Sequence, residues 1–455
     1  MIMERDRVVA VAVLLVSFAI FRFSPIHTVF DSRYEMLFSQ QLLWNHSFSL
    51  DSRAFPELQS HQPGQVHRAG IDLPYQLVQV GERFYYEFPP GSVILSIPYV
   101  ALANVFGMSA ADQNGVYDNR GEIRIEAGLA ALLMAGFSVV ICLKSRLLLP
   151  RIWSLLITAA IALGTQVWST TSRAMWAQTW GILILALVIW MVLRAELNRA
   201  PLRPVLLATC LSWLYFVRPT FGTAIVAFAL YVLLHHRRIF LPFAITGCIW
   251  LSAFLAYSEY HFGQLLPVYY QRTNLYYSPL FWEAIAGNLI SPSRGLLIYV
   301  PLVAFVAYLS IRYTESSRRK LAVMAGAVVF VHLIIISLFH PWHAGHSYGA
   351  RLSADLVPWV ALLAILGVEG RLHWREENRA RDSTVRASTE VFVAAILVVS
   401  SVVLNGAAAV STSVWWWNVR PTNIDEDVKR LWDWRHPQFA NAFQPNERPI
   451  ASPSP

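Results

Sequence analysis

Asp31 is the residue whose type and position most plainly suit chemistry. It lies in Phe30-Asp31-Ser32-Arg33-Tyr34-Glu35-Met36, a short way beyond the first apolar run. A carboxylate held at a membrane surface can take the proton of an attacking hydroxyl. The same position suits a helix N-cap, because a helical run over 34–44 follows. Capping and proton transfer are compatible. Glu35, one turn on, is the second candidate carboxylate.

Four arginines form a second group. Arg173, Arg218, Arg294 and Arg351 each stand at the end of an apolar run, Arg218 in Val217-Arg218-Pro219-Thr220 and Arg294 in Ser291-Pro292-Ser293-Arg294-Gly295. A guanidinium there matches phosphate oxygens in two-pronged fashion. It could equally snorkel to the interface. Four on one side favour a phosphate site.

Two aromatic stretches could line a cleft. In Phe84-Tyr85-Tyr86-Glu87-Phe88-Pro89-Pro90-Gly91 the rings suit headgroup depth, where aromatic anchors are ordinary, and the Pro-Pro-Gly turn fixes where the next helix begins. The stretch from Phe339 to Arg351 holds His340, His343 and His346, a spacing that invites zinc. Pro and Gly within it break any helix that would align the rings, and no carboxylate or cysteine is close in sequence. An aromatic, Gly-rich loop ending in arginine suits carbohydrate and phosphate better. Tyr34, Tyr86, Pro90, Trp342, His346 and Tyr348 are the candidate cleft residues, and no metal ligands are assigned.

These residues need a scaffold, which composition supplies. The 455 residues are 56% apolar and only 14% charged, against about 25% charged in soluble chains. Mean hydropathy is +0.45. Long apolar runs separated by short polar stretches exclude a soluble multidomain protein, a disordered chain and a disulfide scaffold. Cys142, Cys210 and Cys248 all fall inside apolar runs, as small packing residues do. The net charge of +8 reads as a cytoplasmic charge excess, not as a nucleic-acid surface. The expected fold is an all-α polytopic membrane protein.

A spanning helix needs about 17–25 apolar residues. Candidate segments lie near 6–24, 91–106, 125–143, 152–169, 178–193, 204–217, 221–234, 239–258, 295–311, 321–339, 355–370 and 388–410. If all crossed from a cytoplasmic N-terminus, Lys144, Arg146, Arg151, Arg237, Arg238 and the loops 312–320 and 371–386 would fall outside, against the positive-inside rule. The segment 91–106 is short, opens on Pro89-Pro90-Gly91 and carries Pro98. Reading it as an interfacial helix returns every basic loop to the inside. About 11 transmembrane helices result, within a transmembrane domain over 1–410. A first external loop over 25–124 contains interfacial helices, and the tail 411–455 is external. The first run follows Arg5 and Arg7 but precedes no small-x-small cleavage site, so it is expected to be an uncleaved helix. The final 451–455 is low in complexity.

With these features in place the chain resembles membrane glycosyltransferases of the GT-C class, near the bacterial family 39-like enzymes related to protein O-mannosyltransferases and aminoarabinose transferases. Asp31-Ser32-Arg33-Tyr34 is similar to that class's acidic pattern after helix one. Tyr86-Glu87-Phe88-Pro89-Pro90-Gly91 is similar to the start of its juxtamembrane helix, and Trp342-x-x-Gly345-x-x-Tyr348-Gly349-x-Arg351 to a late external loop. The resemblance implies a polyprenyl-phosphate-linked sugar donor and a glycan, lipid or protein acceptor. It also implies inverting transfer at the outer face of the cytoplasmic membrane, with Asp31 as base; the four arginines suit the donor phosphate by their own chemistry. The family often pairs Asp with Glu at this point, whereas here Ser32 follows Asp31. Members differ in metal dependence, so the resemblance leaves a divalent cofactor open.

Three other classes compete. A flippase or exporter of lipid-linked glycans would place polar residues at mid-membrane or show pseudo-symmetric halves, and neither is legible. An O-antigen ligase or polymerase would also use external arginines but expects its largest loop late in the chain. A catalytically silent scaffold would share every feature named above.

Overall fold

The computed structural model describes residues 4–58, 66–68, 71–271, 275–378 and 384–443; the low-complexity end 451–455 lies outside them. Helices dominate, as in an all-α membrane protein. Among the described residues six helices are long and apolar enough to cross a membrane. They are α4 (Asn119–Ser145), α6 (Ala177–Glu196), α9 (Arg237–Phe262), α14 (Arg319–Leu338), α15 (Val357–Glu377) and α16 (Thr384–Val410). Shorter apolar helices are α3 (Pro90–Val105), α5 (Arg151–Leu163), α7 (Pro204–Val217), α8 (Gly222–His235) and α13 (Leu302–Tyr313). The chain opens on α1 (Glu4–Phe23) and α2 (Glu35–Asn45), while α10 (Val268–Gln271), α11 (Phe281–Ile290), α12 (Leu296–Tyr299) and α17 (Ser413–Trp416) lie in connections.

Side-chain pairs give the bundle two distinct ends. Asp6, early in α1, meets Arg146 beyond the end of α4 at 3.2 Å, whereas Ser32, beyond the end of α1, meets Glu126 early in α4 at 2.9 Å. The two helices therefore run antiparallel. The Asp6 end also gathers Arg318–Glu369 at 3.5 Å and Arg371–Glu390 at 2.6 Å. The Ser32 end carries the loops that matter below. Of the six long apolar helices, α4 and α15 are the most enclosed, and α9 turns nearly all its apolar surface outward, as a lipid-facing helix does.

The segment after α1 is not purely helical. β1 (Ser49–Leu50), β4 (Leu77–Val80) and β5 (Arg83–Tyr86) form an antiparallel sheet ordered β1-β5-β4, while β2 (Val66–Arg68) and β3 (Ile71–Leu73) pair separately. Gly81, at φ +62°, turns the β4–β5 hairpin, the left-handed conformation such tight turns need. The register sets Leu77 opposite Tyr86, so Tyr75 and Tyr86 emerge at the same end of the hairpin.

Pro89-Pro90-Gly91 starts α3 as the sequence suggests. Pro90 occupies the first helical position, where a missing N–H costs nothing. Gly91 lies so close to α7 that a Cβ would sit 2.5 Å from the carbonyl carbon of Phe216. Asp31 does not cap α2. That helix starts from Tyr34, in the left-handed conformation at φ 73°, with no side-chain cap.

Candidate functional site

Asp31 sits in the connection from α1 to α2, at the bundle end fixed by Ser32. Three groups hold it there. The Tyr86 hydroxyl donates to its backbone carbonyl at 2.6 Å, and the Tyr75 hydroxyl donates to carboxylate Oδ1 at 3.2 Å. Gln76 donates to the carbonyl of Phe30 at 2.9 Å. The hairpin thus grips the residue from one side. On the other side carboxylate Oδ2 forms an ion pair with Arg351 Nη2. The Asp31 side chain remains 26% exposed and that of Arg351 10%.

Arg351 reaches Asp31 because of what lies beneath it. Its guanidinium carbon stands 3.6 Å from the centre of the Trp176 ring, close enough for a strong cation–π contact. Trp176 flanks the start of α6 and is buried. Phe30 stacks on Trp176 at 5.9 Å and on Trp415 at 6.0 Å. The neighbour of the candidate base and the bed of the candidate cation belong to one aromatic stack.

A second acid–arginine pair adjoins the first. Arg218, between α7 and α8, donates to Asp355 Oδ2 at 3.1 Å, to Gln178 Oε1 at 2.7 Å and to Thr220 at 2.9 Å. Thr220 also donates to Asp355 at 2.6 Å. His332 lies behind Asp355, 3.9 Å from the carboxylate. The Tyr269 hydroxyl is within electrostatic reach of Arg218, Asp31, Arg351 and Asp355 together. Among the described residues, four atoms around this junction are buried without a hydrogen-bond partner: Arg351 Nε, Trp176 Nε1, Gln178 Nε2 and Asp355 Oδ1. Three of the four are donors, as a site for a bound anion would have.

The other sequence candidates occupy different places. Arg173 is wholly buried, and its guanidinium donates to the carbonyls of Phe21, Ser24 and Ile26, clasping the end of α1. Arg294 donates to the carbonyls of Ser293, His343 and Gly345 and to Gln438 and Asn418. Burial lowers its pKa to about 10, so it stays charged at neutral pH. Tyr34 packs edge-on against Phe55 and Tyr117 in the core. Tyr348 donates to the carbonyl of Leu404 and meets Tyr299 edge-on. Trp342 sits in a small cluster with Ala284, Trp417, Ile424 and Leu431. Glu35 is buried, and desolvation first, then the Glu122 charge, push its carboxyl well above the usual range. It holds its proton where Asp31 meets solvent. Of the cleft candidates, Tyr86 is hydrogen-bonded to Asp31.

The histidine run gathers around the tail. His346 bonds Asn423 at 2.8 Å, and the tail supplies a carboxylate the local sequence lacks, Asp425, 3.5 Å from His346 and 4.0 Å from His343. Burial and Arg294 lower His343 to about 4. Among the described residues no three His, Cys, Asp or Glu side chains are arranged to hold a metal ion.

Sequence reasoning missed Trp176, Tyr75, Gln178, Glu122 and Glu126; Asp355, one helical turn after Arg351 and its partner by spacing, pairs instead with Arg218. Gln178 carried a signal, as a polar residue at the end of an apolar run. Comparison with protein-family models and with curated proteins found no match for the chain.

Proposed function

We propose that this protein is a membrane glycosyltransferase that moves a sugar from a polyprenyl-phosphate donor to an acceptor hydroxyl at the outer face of the cytoplasmic membrane, with inversion. It crosses the membrane eleven times from a cytoplasmic N-terminus, with α3 at the outer interface. The observation that carries this reading is the junction of Asp31 and Arg351 beside Arg218, a partly exposed carboxylate facing two cations at one bundle end.

In this reading the acceptor hydroxyl gives its proton to Asp31 as its oxygen attacks the anomeric carbon. The bond from that carbon to the phosphate oxygen breaks, and the polyprenyl phosphate leaves with the bonding pair. Negative charge grows on the departing oxygen, where oriented cations stabilise the transition state more than the ground state. Arg351 and Arg218 are the residues for that task. Before the donor arrives, Arg351 occupies Asp31. A phosphate that draws the guanidinium toward itself releases the carboxylate, so donor binding prepares the base.

The decisive experiment supplies the purified protein with a panel of polyprenyl-phosphate sugars and follows release of free polyprenyl phosphate with acceptor present. Turnover with one donor, lost in Asp31→Asn, is expected; equal turnover in that variant removes the reading. For topology, cysteines placed in 107–118 should label from outside the cell. Labelling from the cytoplasm alone would put α3 across the membrane.

A further inference from the structure

Two glutamates of α4 take no part in the transfer chemistry, yet they hold both halves of the site. Glu126 is buried, and its Oε2 accepts from the Ser32 hydroxyl at 2.9 Å and from the Met175 N–H at 3.3 Å. Ser32 follows Asp31, and Met175 precedes Trp176. One oxygen thus ties the loop that carries the carboxylate to the turn that carries the bed of Arg351. One helical turn earlier, Glu122 accepts from Tyr34 N–H at 3.1 Å and from Met36 N–H at 2.9 Å. It fixes the left-handed residue from which α2 starts.

The arrangement has a physical logic. The connection between Asp31 and α2 lies in a closed interior, where a stranded N–H is costly. Carboxylates borne on an enclosed helix are stiffer acceptors than anything a loop could supply. Other links run alongside, namely the Thr28 N–H to the Arg173 carbonyl at 3.0 Å and the Phe30–Trp176 stack. The first acts on more distant parts of the two segments and the second is a ring contact without direction along the chain, whereas Glu126 hydrogen-bonds the residues that follow Asp31 and precede Trp176.

We propose that Glu126 is a positioning residue that sets the Asp31–Arg351 pair by tying the Asp31 loop to the Trp176 turn. Its link to transfer rests on the donor-phosphate reading above; its link to the pair does not.

The first test needs no ligand. The coupling between Asp31 and Arg351 is read from melting temperatures of Asp31→Asn, Arg351→Gln and the double variant, in the parent and in Glu126→Ala. The coupling should fall by more than half when Glu126 is lost, and Glu126→Gln, which keeps an acceptor oxygen, should restore it. Unchanged coupling in Glu126→Ala would overturn the proposal. If Glu126→Ala does not fold, Ser32→Ala removes one of the two bonds and should lower the coupling in the same direction; no change there is equally fatal.

The second test uses farnesyl phosphate as a short polyprenyl phosphate. Glu126→Ala should weaken its binding about tenfold, the scale of a lost hydrogen bond of ordinary strength, but add nothing once Arg351 is already alanine. The same loss in both backgrounds would mean a merely structural role. If the parent itself fails to bind the probe, the donor reading falls, while the coupling measurement still decides the role of Glu126.

Discussion

Asp31 and Arg351 stand 320 positions apart in the chain and close on each other at one end of the bundle. The pair is lopsided. Arg351 is bedded on Trp176 and has little exposure, while Asp31 keeps about a quarter of its side chain open. Solvent, and any ligand, therefore meets the carboxylate first and reaches the cation beside it.

Replacing either partner separates base from charge. Asp31→Asn keeps the shape and the Tyr75 contact, so the protein should fold and retain donor binding. Turnover should drop about 10²–10⁴-fold, as for loss of a general base. Arg351→Lys keeps the charge but loses the planar fork that stacks on Trp176 and is shaped to take two phosphate oxygens at once. Turnover should fall with donor binding less affected, and Arg351→Ala should weaken both. Single-turnover rates and donor affinity in the three variants check this. Parent-like values for Arg351→Ala would leave Arg351 as an interface anchor.

Asp31 and Arg351 were legible in the sequence because both are charged residues at the margin of apolar runs, where a charge needs a reason. Their mutual pairing was not legible, since the carboxylate one turn after Arg351, Asp355, is the obvious partner by spacing. The structure gives Asp355 to Arg218 instead. Arg173 and Arg294 show the limit of the same reasoning. Both stand at helix ends as Arg351 does, but their donors meet backbone carbonyls, which no residue pattern announces. Pro89-Pro90-Gly91 was legible because proline and glycine fix backbone geometry locally, whereas Trp176 was one tryptophan among 17.

Glu35 should show itself in pH dependence, not in turnover. Its folded carboxyl is raised well above the usual 4.5 by burial and by Glu122. The folded state therefore keeps a proton that the unfolded chain releases. Its contribution to stability is intact below pH 4.5 and is lost as pH rises toward the folded value, at up to about 1.4 kcal/mol per pH unit. Glu35→Gln is neutral at every pH, so its stability advantage over the parent should grow from pH 5 to pH 7 while transfer continues. Melting profiles that run parallel across that range would show that Glu35 carries no buried proton.

Gly91 tests the contact that places Arg218. A Cβ there would stand 2.5 Å from both the carbonyl carbon and the carbonyl oxygen of Phe216, two residues before Arg218. Backbone cannot swing aside as a flexible side chain does, so α3 or α7 must shift. Gly91→Ala should destabilise by roughly 1–3 kcal/mol, the usual cost of overpacking, and weaken donor binding through Arg218. Gly222→Ala has open space around it and a helical backbone, so it serves as the control. Equal melting temperatures for the two variants would dismiss the contact.

Arg294 offers the last test, because it joins the tail to the loop that leads into Arg351. Its three nitrogens reach His343 and Gly345 in that loop and Asn418 and Gln438 in the tail. Gln438 in turn accepts from Gly349 N–H at 3.1 Å and donates to the Ser347 carbonyl at 2.9 Å. Gly349 has φ +54°, and a Cβ on it would meet the Tyr299 ring at 2.5 Å, so the loop has little freedom once these bonds form. Lysine cannot replace a planar group serving five acceptors, and each acceptor left unpaired in the interior costs about 1–3 kcal/mol. Arg294→Lys and Gln438→Ala should therefore lower the melting temperature and open the tail to protease within 411–443. Turnover should fall with them, since the last residues before Arg351 lose their hold. Protease resistance equal to the parent, in variants that still lose turnover, would move Arg294 out of the scaffold and back to the donor phosphate.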